Sequence, residues 1–190
     1  MRGTRMVWRA EHQILTDAGV TVAPGLTEAE LDRAESVIGA RFPPDLRSFL
    51  SEGLPVGGRF PDWRGPDSTD IRRQLDWPFE GMAFDIGNNA FWLDAWGARP
   101  SELQEAIRIA RAIVAEAPRL IPIAGHRYIP AEPALAGNPI FSVYQTDIIY
   151  YGSELATYLR HEFHRIPHVD AVREGTRRIR FWSELVDANE

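Results

Sequence analysis

His161, His164 and His168 are the first residues whose type and spacing could do chemistry, because clustered imidazoles can bind a metal. On a helix carrying Leu155, Tyr158, Leu159 and Phe163 on one side, they fall on the opposite face. Pro167 disfavours extending that helix to His168. Exposed imidazoles near a helix C-terminus, favoured there by the dipole when protonated, account for them without a metal. His12 and His126 have no partner visible in the sequence. Nucleophilic catalysis finds neither a cysteine nor a Gly-x-Ser-x-Gly elbow. Phosphate-cradling glycine motifs are absent, and Gly57-Gly58 reads as a turn. The carboxylate pairs Asp67/Asp70 and Glu102/Glu105 read as solvated charges, since spacing alone does not set two acids across a substrate. The residues therefore assign no catalytic, cofactor-binding or metal-binding position, and the expected class is non-enzymatic.

The six tryptophans carry more information. Trp63, Trp77, Trp92 and Trp96 crowd one region, with Arg64 and Arg99 close by. Aromatic and arginine residues are enriched at binding hot spots, although the same rings could build a small core beneath a loop. Trp63, between Asp62 and Arg64, is expected to be exposed, whereas Trp92, inside an expected strand, is expected to be buried.

The net charge of −6 argues against general nucleic-acid binding, which depends on Lys and Arg neutralising phosphates. It suits a basic protein partner, and it also suits ordinary solubility. With no cysteine there is no disulfide framework. No apolar run approaches the roughly 20 residues that cross a bilayer. The basic N-terminus is followed by no apolar signal-peptide core, so a cytoplasmic location with no membrane contact is expected.

The elements that must position these residues begin with Leu26-Thr27-Glu28-Ala29-Glu30-Leu31, a capping box with its hydrophobic staple. A helix carrying Leu31, Ala34 and Ile38 follows, closed by Gly39. Pro43-Pro44 opens a second short helix that ends at Gly53. Residues 54–80 read as a long proline- and glycine-broken loop, with one helical turn near Ile71–Leu75. Met82–Ile86 and Ala90–Leu93 read as strands joined by a Gly87-Asn88-Asn89 turn. A helix spans Ser101–Ala117, and Leu120–Ala124 reads as an edge strand because Pro122 cannot donate to a ladder. Ile140–Tyr151 reads as a hairpin interrupted at Gln145-Thr146-Asp147, after which Ser153 is the expected N-cap of the histidine-bearing helix. Short turns between strands favour an antiparallel sheet, hence an α+β fold with helices packed on it.

Leu26–Glu30 with Phe42–Leu50 resembles the opening helices of the SUKH superfamily, specifically its Smi/Knr-like branch. The resemblance continues through Gly58–Arg64, Phe91-Trp92, Trp96–Pro100, Leu120–Ile123, His126–Pro130 and Asn138–Gly152, which look like a bacterial subgroup. It covers roughly residues 20–165 of a chain expected to be one domain over 1–190, with 166–190 as a basic C-terminal extension. The resemblance implies a mostly antiparallel sheet flanked by helices, no cofactor, and a protein-binding role. The leading expectation is an immunity protein that neutralises a polymorphic or contact-dependent toxin, with a basic toxin domain, such as a nuclease, as partner. A regulatory adaptor or small-ligand-binding protein is the competing expectation. Trp63, Arg64, Trp96, Asp147 and Tyr151 are the residues expected to contact the partner.

Overall fold

The computed structural model describes residues 8–189. Among them the fold is α+β, with eight helices, a two-stranded antiparallel sheet and a four-stranded antiparallel sheet. The chain opens with α1 (Arg9–Asp17), β1 (Thr21–Pro24), α2 (Glu28–Ile38) and α3 (Pro44–Glu52). The α2 capping box forms as its residues demand: Thr27 Oγ1 accepts from Glu30 N at 3.3 Å, and Glu30 Oε2 accepts from Thr27 N at 2.8 Å. Gly39 closes α2 at φ 72°, a left-handed conformation glycine enters without a Cβ clash. Gly53, expected only to stop α3, is extended and opens β2 (Gly53–Val56), which pairs with β1.

The main departure from the sequence reading is α4, a 20-residue helix over Thr69–Asn88. It replaces the end of the expected loop, the first expected strand and the start of the expected turn. Residues 91–93 form no strand either, and Trp92 is partly exposed, its Nε1 donating to Gly97 O at 2.8 Å. Buried Ile71, Pro78, Phe79, Met82, Asp85 and Ile86 keep a helical spacing across the apparent breakers. Pro78 has no N–H, so the carbonyl of Gln74, one turn earlier, loses its helical donor. The Tyr128 phenol donates to that oxygen at 2.8 Å, so the defect is repaired from the neighbouring sheet. Tyr128→Phe should therefore cost about 1 kcal/mol through the orphaned carbonyl; chemical denaturation of both proteins measures it.

A short 3-10 turn (Asp94–Trp96) leads to α5 (Leu103–Ala115). The large sheet follows in the order β3 (Leu120–Ala124), β4 (Arg127–Pro130), β5 (Ile140–Tyr144) and β6 (Asp147–Gly152), with β3 at an edge as its proline requires. The chain ends in α6 (Leu155–Glu162), α7 (His168–Ala171) and α8 (Trp182–Ala188). Ser153 does not cap α6. Glu154 holds that position, while Ser153 Oγ accepts from Arg173 N at 2.7 Å and ties the chain after α7 to β6.

Alternation along the strands supplies two apolar layers. Ile121, Ile123, Ile129 and Ile140 join one layer with α2, α3 and α6, centred on Leu31, Phe49, Leu155 and Leu159. Leu120, Tyr128, Phe141, Val143 and Ile148 join the other with α4, α5 and α8, centred on Met82, Ala106, Trp182 and Leu185. With both faces covered, β3 and β4 are buried along their whole length, Arg127 included. The arginines before α8 turn back onto the protein: Arg177 donates to Asn138 Oδ1 at 2.6 Å, Arg178 pairs with Asp187, and Arg180 donates to Glu116 O at 2.5 Å. Among the described residues no helix is long and apolar enough to cross a membrane.

Candidate protein interface

The β5–β6 hairpin turns through Gln145-Thr146, with Tyr144 opposite Asp147 and Gln145 at φ 57°. A non-glycine residue in that region needs surrounding structure to hold it. Asp85 of α4, 4% exposed, accepts from Thr146 N at 2.9 Å and from Thr146 Oγ1 at 2.6 Å. Asn89 Nδ2 donates to the same carboxylate at 2.6 Å. From the other side, Asn189 Nδ2, just past α8, donates to Thr146 O at 2.9 Å and Ile148 O at 3.3 Å. Gly81 brings the α4 backbone against Gln145, so the tip is clamped between two helices.

This rigid corner leaves large apolar side chains in solvent. Tyr144 is 57% exposed and Ile149 41%, both on the hairpin. On α4, Trp77 is 39% exposed and Phe84 51%. The Trp77 ring lies 6.5 Å from that of Tyr144, and its Nε1 donates to Val143 O at 3.3 Å. Exposed Asp76, Glu80 and Asp147 lie on the same two elements, with exposed Arg72 and Arg73 in the first turns of α4, Arg73 paired with Asp70. Apolar side chains held among charged groups match the composition of a protein-docking surface, with aromatic anchors and charged surroundings.

Toward the base of the hairpin, Asp147, Ile149 and Tyr151 alternate along β6, with Tyr151 at a bulge opposite Ile140 and Phe141. The Arg127 guanidinium carbon sits 3.6 Å from the centre of the Tyr151 ring. Arg127 donates to Ser142 Oγ at 2.8 Å and pairs with Glu162 at 3.2 Å, and Glu162 also pairs with Arg59 at 2.6 Å. Tyr158 OH is buried with no hydrogen-bond partner, and burial, with the Glu162 charge adding to it, raises its pKa above the usual phenol value. His161 lies 4.8 Å from Tyr151 and 5.1 Å from His168, ring centre to ring centre.

Of the five residues expected to meet a partner, two lie on this hairpin: Asp147 is exposed at its tip and Tyr151 is partly exposed. Trp63 is not exposed. It is 2% accessible, packed edge-on against Phe42 at 5.2 Å, because the loop folds its ring into the first apolar layer while Asp62 and Arg64 stay outside. Arg64 spends its guanidinium on Glu30 at 2.9 Å and on the Pro24 carbonyl at 2.8 Å. Trp96 is half-buried in a separate aromatic group with Phe91, Trp92 and Phe181. Trp77, Phe84, Tyr144 and Ile149 are the exposed residues that sequence reasoning missed. The available signal was Arg73, Trp77, Glu80 and Phe84 at helical spacing, hidden once Pro78 is taken as a breaker.

Three histidines titrate against folding. Burial is the first cause that lowers the pKa of His12, which stacks on Phe49 at 4.5 Å. Burial also leads for His126, followed by the Arg127 charge, and for His168, followed by His161. A lowered folded pKa gives stability that is complete above the unfolded value near 6.5 and is lost as pH falls toward the folded values. Asp45 has the opposite sign: burial raises its pKa, so its contribution is present below the ordinary aspartate range and lost as pH rises. The melting temperature should fall between pH 7.5 and 5.5, and His12→Phe should flatten that fall. A thermal melt series on both proteins measures it, and an unchanged slope would contradict the assignment.

Comparison of the chain with protein-family models, with curated proteins and with solved structures finds no match in any of the three.

Proposed function

We propose that this chain is a non-enzymatic protein-binding module of the SUKH type, acting in the cytoplasm as an immunity protein that masks a basic toxin domain. The observation that carries the reading is the clamped hairpin corner, where Trp77 and Tyr144, 6.5 Å apart ring to ring, stay in solvent, with Phe84 on the same helix and Ile149 on the same hairpin also exposed. Large exposed apolar groups gathered on rigid elements mark interaction surfaces. The neighbouring carboxylates and the net charge of −6 favour a cationic partner, and complementary charge speeds its encounter. Hydrophobic contact would supply the affinity, and Asp76, Glu80 and Asp147 the steering.

Co-expression with any toxin domain encoded next to its gene tests the reading, and an isolated gene would favour the regulatory adaptor. The wild-type chain should restore growth, and Ile149→Asp, which puts a charge at a partly exposed position, should weaken partner affinity at least thirtyfold, about 2 kcal/mol, as hot-spot losses do. Calorimetric titration of the purified pair measures that loss. Equal protection and equal affinity in both proteins would remove this face from the interface. Failure of the wild type to protect would leave the regulatory-adaptor class in its place.

A further inference from the structure

A cavity of about 380 Å³ opens beside the hairpin, between α4 and the β3–β4 turn, and its walls carry the rings of Trp77, His126, Tyr128 and Tyr144. The Trp77 indole donates to Val143 O at 3.3 Å and the Tyr128 phenol to Gln74 O at 2.8 Å, so these walls are set before a guest enters. The Tyr144 ring stands 6.5 Å from that of Trp77 and 6.4 Å from that of His126, centre to centre. Burial lowers the pKa of His126, so its imidazole is an uncharged wall at neutral pH. Gln74 also lines the cavity, and its Oε1 is buried without a hydrogen-bond partner. The site thus holds an acceptor and lacks the donor that buried acceptors ordinarily have.

Charge decides which donor suits it. Arg73 lines the cavity, and its guanidinium is already paired with Asp70 at 2.6 Å. Outside the lining, Asp76 precedes Trp77 in the chain, Glu80 follows on the next turn of α4, and Asp147 is opposite Tyr144 across the hairpin. All three are exposed, and among the described residues none of them is in an ion pair. The nearby cations are exposed Arg72 and, by the β3–β4 turn but outside the lining, Arg59 and Arg127. Those last two share Glu162 and lie over the Phe163 and Tyr151 rings. Three unpaired carboxylates therefore stand against Arg72 and the single charge by which Arg59 and Arg127 exceed Glu162, and the rim is negative. Aromatic faces, an orphaned acceptor and a negative rim suit a guanidinium, which is planar, weakly hydrated, and stacks on rings while donating in its own plane. We infer that the cavity is an anchor pocket for an arginine side chain of the protein partner, an assignment that rests on the protein-binding role proposed above. The guanidinium lies against the Trp77 and Tyr144 rings and gives an N–H to Gln74 Oε1, and Asp76, Glu80 and Asp147 favour its charge.

N-acetyl-arginine methylamide is the probe, and its citrulline and lysine counterparts are the controls. Citrulline keeps the shape and the donors without the charge; lysine keeps the charge without the plane. Binding is followed on the Trp77 indole N–H signal, assigned by its loss in Trp77→Phe. The expected result is a saturable shift with the arginine probe and at least fivefold weaker binding of either control. Tyr144→Ala and Gln74→Leu should each weaken the arginine probe at least threefold. Tyr144 is exposed, so its variant keeps the test available if Gln74→Leu unfolds. No saturable shift, a control that binds as tightly as arginine, or binding unchanged in Tyr144→Ala would each overturn the assignment. The titration contains no partner, so a null result strikes the pocket alone, whereas a toxin domain that fails to bind strikes the immunity reading alone.

Discussion

Asp85→Ala should lower stability by about 3 kcal/mol, because one substitution removes a charged acceptor from the Thr146 amide, the Thr146 hydroxyl and the Asn89 amide together. The carboxylate is nearly inaccessible, so water cannot fully replace it. For a chain of this size the melting temperature should drop by about 6–12 °C. Asp85→Asn keeps one acceptor oxygen and should lose roughly half as much. The loss should also be local before it is global, with amide exchange at Thr146 and Asp147 rising more than exchange in β3. That link matters for function, since the same contacts hold Tyr144 and Ile149 where a partner would meet them. A loss below about 0.5 kcal/mol, inside the spread of ordinary surface substitutions, would show that the clamp does not hold the tip.

Gly81→Ala should lose about 2 kcal/mol, although alanine in place of glycine inside a helix ordinarily gains about 1 kcal/mol. The sign reverses because an added Cβ would lie 2.8 Å from Gln145 Cα and 3.1 Å from Gln145 N, both main-chain atoms. Neither atom can rotate away, so α4 and the hairpin must separate, an overpacking cost of about 1–3 kcal/mol beyond the helix gain. Gly87 in the same helix is the internal control. Its added Cβ would make ordinary contact with Leu103 at 3.7 Å, so Gly87→Ala should be neutral or stabilising. Denaturant unfolding of the two variants checks the contrast, and equal signs would refute the close-approach reading.

Local signals were legible wherever a residue acts on its own neighbours. The Thr27/Glu30 capping box, the Gly39 terminator, the Pro44 start of α3, the Leu103–Ala115 stripe and the β5–β6 hairpin all follow from short-range chemistry. The α4 region was not legible, because its helix breakers serve tertiary purposes. Pro78 is tolerated through the Tyr128 phenol, 50 positions later in the chain, and Gly81 makes room for the hairpin backbone. Trp63 illustrates the same limit: polar neighbours suggested exposure, while a distant Phe42 decided burial. The candidate site was half visible for this reason. Asp147 and Tyr151 belong to a hairpin that local pattern reveals, whereas Trp77 and Phe84 belong to the helix it conceals.

The most direct test of the interface is affinity capture from native cells with the tagged wild-type chain and with Ile149→Asp, each at low and high salt. Mass spectrometry of the retained proteins should find a basic toxin domain on the wild type at low salt, depleted at high salt and missing from Ile149→Asp. Equal recovery of that domain by both proteins, or retention of regulatory proteins in its place, would contradict the account.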